Sequence, residues 1–292
     1  MDIESILKDR KLSKGTIELY KIKIGKLNDN KPIKNFNFLK DSDAILKKIS
    51  GLKPNTQRSY IITVCSILKS VDDKKFKKIY DKYSKILEKY NTDLTDQTVK
   101  TDVEKKNWIS MKDIDKLYKS LEKDVKEDPS KENHQNLMLL SLYYLIAPRR
   151  SMDFWKMKVI DEYDDSMSKE FNYFDKKNKQ FIFNTYKTAR TYGQQIEKIP
   201  ENLYDIIIEY IKVFNIELNS YLIINPKTGK YYASKNAMTY LLNKIFDAKI
   251  SVGILRKVYL TEKYSDAEKQ KKSDATKMGT STVVMSNSYI KK

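Results

Sequence analysis

"LYYLIAPRRSMDFWKM", residues 142–157, joins an apolar run to two adjacent arginines and then an acid. The run starts upstream, as "NLMLLSLYYLIA" over 136–147, and stops at Pro148, which cannot continue a helix. The stretch therefore predicts a buried helix with Arg149 and Arg150 at its exit and Asp153 three residues beyond the second arginine. A guanidinium is not buried cheaply without an anion. Two readings are open: Arg150 pairs with Asp153, or it faces an anionic ligand.

Downstream of this helix the pattern turns strand-like. "KMKVID" is short and alternating, and "KQFIFNTY" and "GQQIEKIP" flank "KTARTYG" as a hairpin with its tip near Lys187. Helical periodicity returns in "ENLYDIIIEYIKVF", "KNAMTYLLNKIF" and "GILRKVYLTEKYSD". Upstream, "ISMKDIDKLYKSLEKDV" starts a helix on Ser110 and Asp113, which resemble a capping box. Residues 91–107 are polar and aperiodic and read as a linker. Residues 1–90 read as short helices. The first is capped by Ser13 with Ile17, Tyr20, Ile24 and Leu27 on one face, another has Tyr60, Val64, Ile67 and Leu68, and Pro32, Gly51 and Pro54 act as breakers. The fold expected is mainly α: a helical domain over 1–90, a linker over 91–107, and a second domain over 108–292 of helices with a small antiparallel sheet.

Composition narrows the function. Among 292 residues, 57 Lys+Arg against 39 Asp+Glu give a net charge of +18. Residues 1–105 hold 24 Lys+Arg against 15 Asp+Glu, and residues 106–292 hold 33 against 24, so both parts are equally basic. A polyanionic partner accounts for such an excess in two lobes; an AT-rich coding bias toward Lys accounts for part of it. Cys65 and His134 are each the single residue of their kind. That leaves no disulfide framework, nearly excludes a zinc site, and leaves Ser-His-Asp or Cys-His chemistry without its histidine unless His134 serves. No signal peptide and no apolar run long enough for a membrane span is visible, so a soluble, intracellular protein is expected.

Four positions could carry chemistry, each beside a plain alternative. Arg150 is weighed above. Lys187 is either a solvated hairpin-tip lysine or a reactive one. Arg256, in "GILRKVYLTEKY", either snorkels from a helix or points into a site. Tyr289, in the closing "MGTSTVVMSNSYIKK", is one of 21 tyrosines, so packing competes with a nucleophilic role.

Taken in order, helix exit with Arg, hairpin with Lys, helix with Arg, and terminal Tyr resemble the tyrosine recombinase (phage-type integrase) family over nearly the whole chain. "LSKGTIELY" looks like the start of the family's core-binding domain, and "LYYLIAPRRSMDFWKM" like its first arginine box. "IFNTYKTARTYG" resembles the lysine hairpin, "GILRKVYL" the second arginine box, and "MGTSTVVMSNSY" the box that ends in the nucleophile. The wording of the arginine boxes is nearest to integrases of large DNA viruses and their satellites. The resemblance implies a site-specific recombinase acting on double-stranded DNA, as a dimer or tetramer, with no cofactor and no metal. It assigns the nucleophile to Tyr289, phosphate stabilisation to Arg150 and Arg256, the general acid to Lys187 and support of Arg150 to Asp153. Two positions depart from the pattern: Gly253 stands where the second box has histidine, and Thr280 where the last box has histidine or tryptophan. A slower enzyme is therefore expected. A recombinase-derived DNA-binding protein and a type IB topoisomerase-like enzyme are the alternatives.

Overall fold

The first three α-helices are each opened by a capping side chain, from Asp2, Ser13 and Asp41. In the computed structural model, which describes residues 2–10, 12–71, 74–94, 99–234 and 236–291, the Ser13 hydroxyl accepts the Thr16 N–H at 3.2 Å and opens the helix Lys14–Leu27. The chain divides into two units, Met1–Lys100 and Thr101–Lys292. The first comprises α1 (Ile3–Ile6), α2 (Lys14–Leu27), α3 (Ser42–Ile49), α4 (Pro54–Ser70) and α5 (Lys74–Asp93). Pro54 sits at the start of α4, where its missing N–H costs nothing. The expected apolar faces are buried at Tyr20, Ile24 and Leu27 and at Tyr60, Val64, Ile67 and Leu68, and Tyr83 joins them with its hydroxyl on the Leu39 carbonyl at 3.0 Å. Lys23 is buried too. Its ammonium reaches the Ser59 carbonyl at 3.3 Å, and burial lowers its pKa.

The second unit begins with α6 (Asp102–Lys106), which Thr101 and Glu104 close with a reciprocal capping box. The stretch read as a linker thus contains the end of α5 and all of α6; its residues 95–98 lie outside the described residues. Then come α7 (Met111–Glu127), α8 (Lys131–Tyr144) and α9 (Ser151–Trp155). Ser110 caps α7 by accepting the Asp113 N–H at 3.1 Å. Helix α8 packs against both α7 and α11 (Glu201–Phe214) and buries Leu137 through Tyr143. It ends at Tyr144, three residues short of the apolar run, because Pro148 forces its predecessor out of helical conformation.

The sheet order is β1 (Lys158–Ile160), β2 (Tyr173–Asp175), β3 (Gln180–Phe183), β4 (Gln195–Lys198). β2–β3 and β3–β4 are antiparallel, but β1 pairs with β2 in parallel, so the sheet is mixed rather than antiparallel throughout. The segment 161–172 between β1 and β2 is long enough for the crossover that a parallel pair needs. The hairpin connection carries a short helix, α10 (Ala189–Tyr192), closed by Gly193 at φ +68°, instead of a bare tip at Lys187. After α11 come α12 (Ala237–Phe246), α13 (Val252–Lys277) and α14 (Thr282–Val284). Met285–Tyr289 continues as a π-helical turn, with the Ile290 N–H on the Met285 carbonyl at 3.0 Å. Helix α13 runs well past the apolar period of its first half; the extension buries only Ala275. The unit is thus mainly helical around one small mixed sheet, and no helix among the described residues is long and apolar enough to cross a membrane.

Phe154 ties the arginine-bearing segment to this sheet. Its ring lies edge-on to Phe181 at 5.5 Å, Phe183 at 5.8 Å and Tyr143 at 6.0 Å. These four rings are in the buried core, so α9 and the hairpin are packed together by apolar area and aromatic geometry.

Candidate functional site

The Asp153 carboxylate bonds to Arg149 and not to Arg150, the partner in one of the two readings the sequence left open. The Arg149 Nε donates to Asp153 Oδ2 at 3.1 Å, an i,i+4 contact across the start of α9. Arg150 is the residue that caps α9. Its carbonyl accepts the Asp153 N–H at 2.9 Å, which uses its backbone and leaves its side chain to another direction.

Arg149 is enclosed on several sides. Its Nη1 donates to Gln195 Oε1 at 2.9 Å and lies 3.7 Å from Glu197 Oε2, both on β4. The guanidinium carbon sits 3.7 Å from the Phe183 ring centre and 5.1 Å from that of Tyr186. Its side chain is 16% exposed and that of Asp153 is 3% exposed. One guanidinium therefore serves two carboxylates. Burial pushes both acids above the ordinary carboxylate range, with Arg149 opposing the shift in each case. Asp153 Oδ1 and the Tyr143 hydroxyl are buried without a hydrogen-bond partner among the described residues. Burial raises the Tyr143 phenol, and the nearby Asp153 charge raises it further.

Arg149, Asp153, Gln195 and Glu197 form one wall of an open cleft of about 270 Å³. Arg150 lines it from the start of α9, Arg256 from α13, and Tyr186, Thr188 and Tyr192 from the hairpin connection. Arg150 and Arg256 are half-buried, and neither guanidinium makes a hydrogen bond or ion pair among the described residues. Two arginines from distant parts of the chain thus line one space without a direct ion pair, although the Arg150 charge is felt by Asp153, next to a third arginine held by two carboxylates. A cleft of that charge suits an anion with several oxygens.

Lys187 is exposed and lies between two residues that line the cleft, without lining it itself. The turn leading to it is held by Asn172, a buried residue that was not singled out in the sequence. Asn172 Nδ2 donates to the carbonyls of Asp153 at 2.7 Å and Thr185 at 2.9 Å. Its Oδ1 accepts the N–H groups of Asn184 and Thr185, both at 2.8 Å. Beyond Lys187, the Tyr186 hydroxyl closes the loop on the Gly193 carbonyl at 2.8 Å.

The remaining assigned residues are not brought into the cleft lining. Gly253 is exposed in the first turn of α13, on the same helix as Arg256, and a β-carbon there would meet only the Ser251 hydroxyl at 3.4 Å. Thr280 follows Gly279 at φ +63° and donates its N–H to the Ala275 carbonyl at 2.9 Å. Tyr289 is 60% exposed at the end of the π-helical turn and makes no part of the apolar core.

Sequence reasoning missed Arg149, Asn172, Gln195 and Glu197. The i,i+4 spacing of Arg149 and Asp153 was a usable signal for the first. Glu197 and Gln195 share one face of β4, which period-2 alternation marks. Nothing local distinguishes Asn172.

No family model matches the chain, and no curated protein does. Among solved structures, the crystal structure of XerA recombinase is similar at a TM-score of 0.38 and 12% identity, over 89% of this chain and 81% of that one.

Proposed function

We propose that this chain is a DNA strand-transfer enzyme of the tyrosine-recombinase kind, cutting and rejoining duplex DNA through a 3′-phosphotyrosyl link. The observation that carries the reading is the pair Arg150 and Arg256, neither guanidinium in a hydrogen bond or close ion pair among the described residues and both lining one open cleft beside the turn that bears Lys187. In this reading the Tyr289 oxygen forms a bond to phosphorus while the bond to the 5′ oxygen breaks. Negative charge grows on the non-bridging oxygens, and the two fixed guanidiniums stabilise it there. Lys187 gives its proton to the departing 5′ oxygen. The Thr280 hydroxyl offers one further hydrogen bond to the phosphate, and Gly253 offers none through a side chain. The reverse step, by another strand's 5′-hydroxyl, rejoins DNA without a cofactor.

Tyr289 does not line the cleft, so the terminal segment has to deliver it when DNA is bound. The net charge of +18 supplies phosphate contacts from both units, and paired cutting of two sites calls for more than one copy of the chain. The position of Tyr289 also favours a second reading, a DNA-binding protein that no longer cuts. A duplex nicked just beyond the cut position separates the two, since loss of the short leaving strand traps the covalent adduct. Wild-type protein should form an adduct that survives denaturing electrophoresis, and Tyr289→Phe should form none. Salt-sensitive binding without any adduct would establish the second reading.

A further inference from the structure

Arg149 and Asn172 have contacts that neither the sequence nor the proposed chemistry calls for. Arg149 leaves the exit of α8 and reaches across to the hairpin, meeting Gln195 and Glu197 on β4 and the rings of Phe183 and Tyr186 on the strand and turn before Lys187. Asn172 works from the other side. Its amide bridges the Asp153 carbonyl in α9 to the backbone of Asn184 and Thr185. The residues 183–186 are therefore fastened, by a guanidinium on one side and an amide on the other, to the short helix that Arg150 caps. A lysine that follows directly on such a root does not swing on a free hairpin.

We propose that Arg149 and Asn172 are positioning residues that set Lys187 against the phosphate held by Arg150. The proposal rests on the strand-transfer reading above. Arg149 suits the task because its planar fork can hold two side chains of β4 while its face stacks on Phe183; a lysine keeps the charge but loses the fork and the face. Neither residue needs to touch the DNA. A displacement of about 1 Å in a reacting group can cost on the order of 100-fold in rate, so loosening the root should slow the step that needs the acid and spare the steps that do not.

That distinction can be read chemically. In one nicked duplex the scissile phosphate keeps its 5′ bridging oxygen; in a second, sulfur replaces it. With oxygen, the bond to phosphorus breaks and the leaving oxygen takes a proton from Lys187. With sulfur, the electron pair departs on a thiolate, which is stable near neutral pH and needs no proton. Adduct formation would be timed on both duplexes for wild type, Arg149→Met, Arg149→Lys, Asn172→Ala, Lys187→Ala and Arg150→Ala, with thermal melting recorded for each. The expected result is that both Arg149 variants, Asn172→Ala and Lys187→Ala are slower than wild type by about 10-fold or more on the oxygen duplex and within about 3-fold of it on the sulfur duplex. Arg150→Ala should be slow on both. Arg149 and Asn172 variants equally slow on both duplexes, or normal on both, would overturn the proposal. So would loss of the melting transition in all of them, which would make the two residues anchors of the fold alone. Wild type silent on both duplexes would instead remove the strand-transfer reading, and the proposal with it.

Discussion

The cleft wall and the terminal segment are built in opposite ways. Around Arg149 a side chain is held by a carboxylate, an amide, a second carboxylate and two aromatic rings, drawn from α9, β3, the turn after β3, and β4. Between Thr280 and Ile290, among the described residues, each hydrogen bond reaches no further than five residues along the chain. Examples are Thr280 to Ala275, Val284 to Ser281 and Ile290 to Met285. Val283, Tyr289 and Ile290 are all exposed. Segments with few buried contacts and only local bonds open at low free-energy cost. The lesson is a difference of build: the cleft wall is fixed by contacts from distant parts of the chain, and the segment carrying the proposed nucleophile is held by local ones.

The sharpest way to break this comparison is at its outer end. Tyr289→Phe should abolish adduct formation on a nicked duplex altogether. DNA affinity should stay within about 2-fold in a salt titration, because the phosphate contacts lie elsewhere. An adduct surviving in that variant would move the nucleophile to another residue and erase the contrast.

The next effect lies in the wall itself. Phe154 is fully buried among Tyr143, Phe181 and Phe183. Phe154→Ala should cost about 3–5 kcal/mol by lost transfer energy and cavity formation, measured as a fall in the urea midpoint of the second unit's transition. Val283→Ala, at an exposed terminal position, should stay within about 0.5 kcal/mol. Equal losses at both positions would mean that the terminal segment is packed in solution as firmly as the wall.

These two regions also differ in how much could be read from the chain. Periodicity located the helices that bury continuous faces, as at Tyr60–Leu68 and 201–214, because burial alone selects those residues. Strand β2 escaped notice because three residues carry too little alternation. Its parallel pairing with β1 depends on a crossover rather than on local propensity. At the site, the family resemblance pointed to Arg150, Lys187 and Arg256, but not to which arginine Asp153 would hold. That choice turns on the helix start: the residue at the cap spends its carbonyl on Asp153, and its predecessor has the reach for the carboxylate. Asn172 could not be found, since its partners lie 13 and 19 residues away in the chain.

A smaller change should sharpen the comparison by improving the wall. Gly253 is exposed, lies at ordinary helical φ, and has room for a β-carbon. In the helix it is three residues before Arg256, so a side chain there lies on the same face. Gly253→His would place an acid–base group beside Arg256 and, under the strand-transfer reading, should raise the rate of adduct formation by about 100-fold, the low end of what such a group contributes. No gain, with Arg256→Ala still inactive, would mean that delivery of Tyr289 limits the rate.

The smallest effects are in pH dependence, and they carry opposite signs. Glu104, bonded to Lys257 of α13 and to Thr101, is held down to about 2 by the lysine first and the threonine second. Its contribution to stability is complete above the unfolded carboxylate range and is lost as pH falls toward 2. Glu197 is raised by burial, with Arg149 opposing. The folded protein holds that proton more tightly than the unfolded chain does, so Glu197 favours folding most at low pH, and the advantage fades as pH rises through its elevated value. Glu104→Gln should therefore flatten the acid limb of a stability–pH curve, and Glu197→Gln should remove a decline on the way from about pH 4 toward neutral. Urea midpoints measured across that range for both variants test the signs together. A Glu197→Gln curve parallel to wild type would mean that Arg149 compensates the half-buried carboxylate fully. Burial of Glu197 would then carry no net cost, and the pH dependence would no longer set the wall apart from the terminal segment.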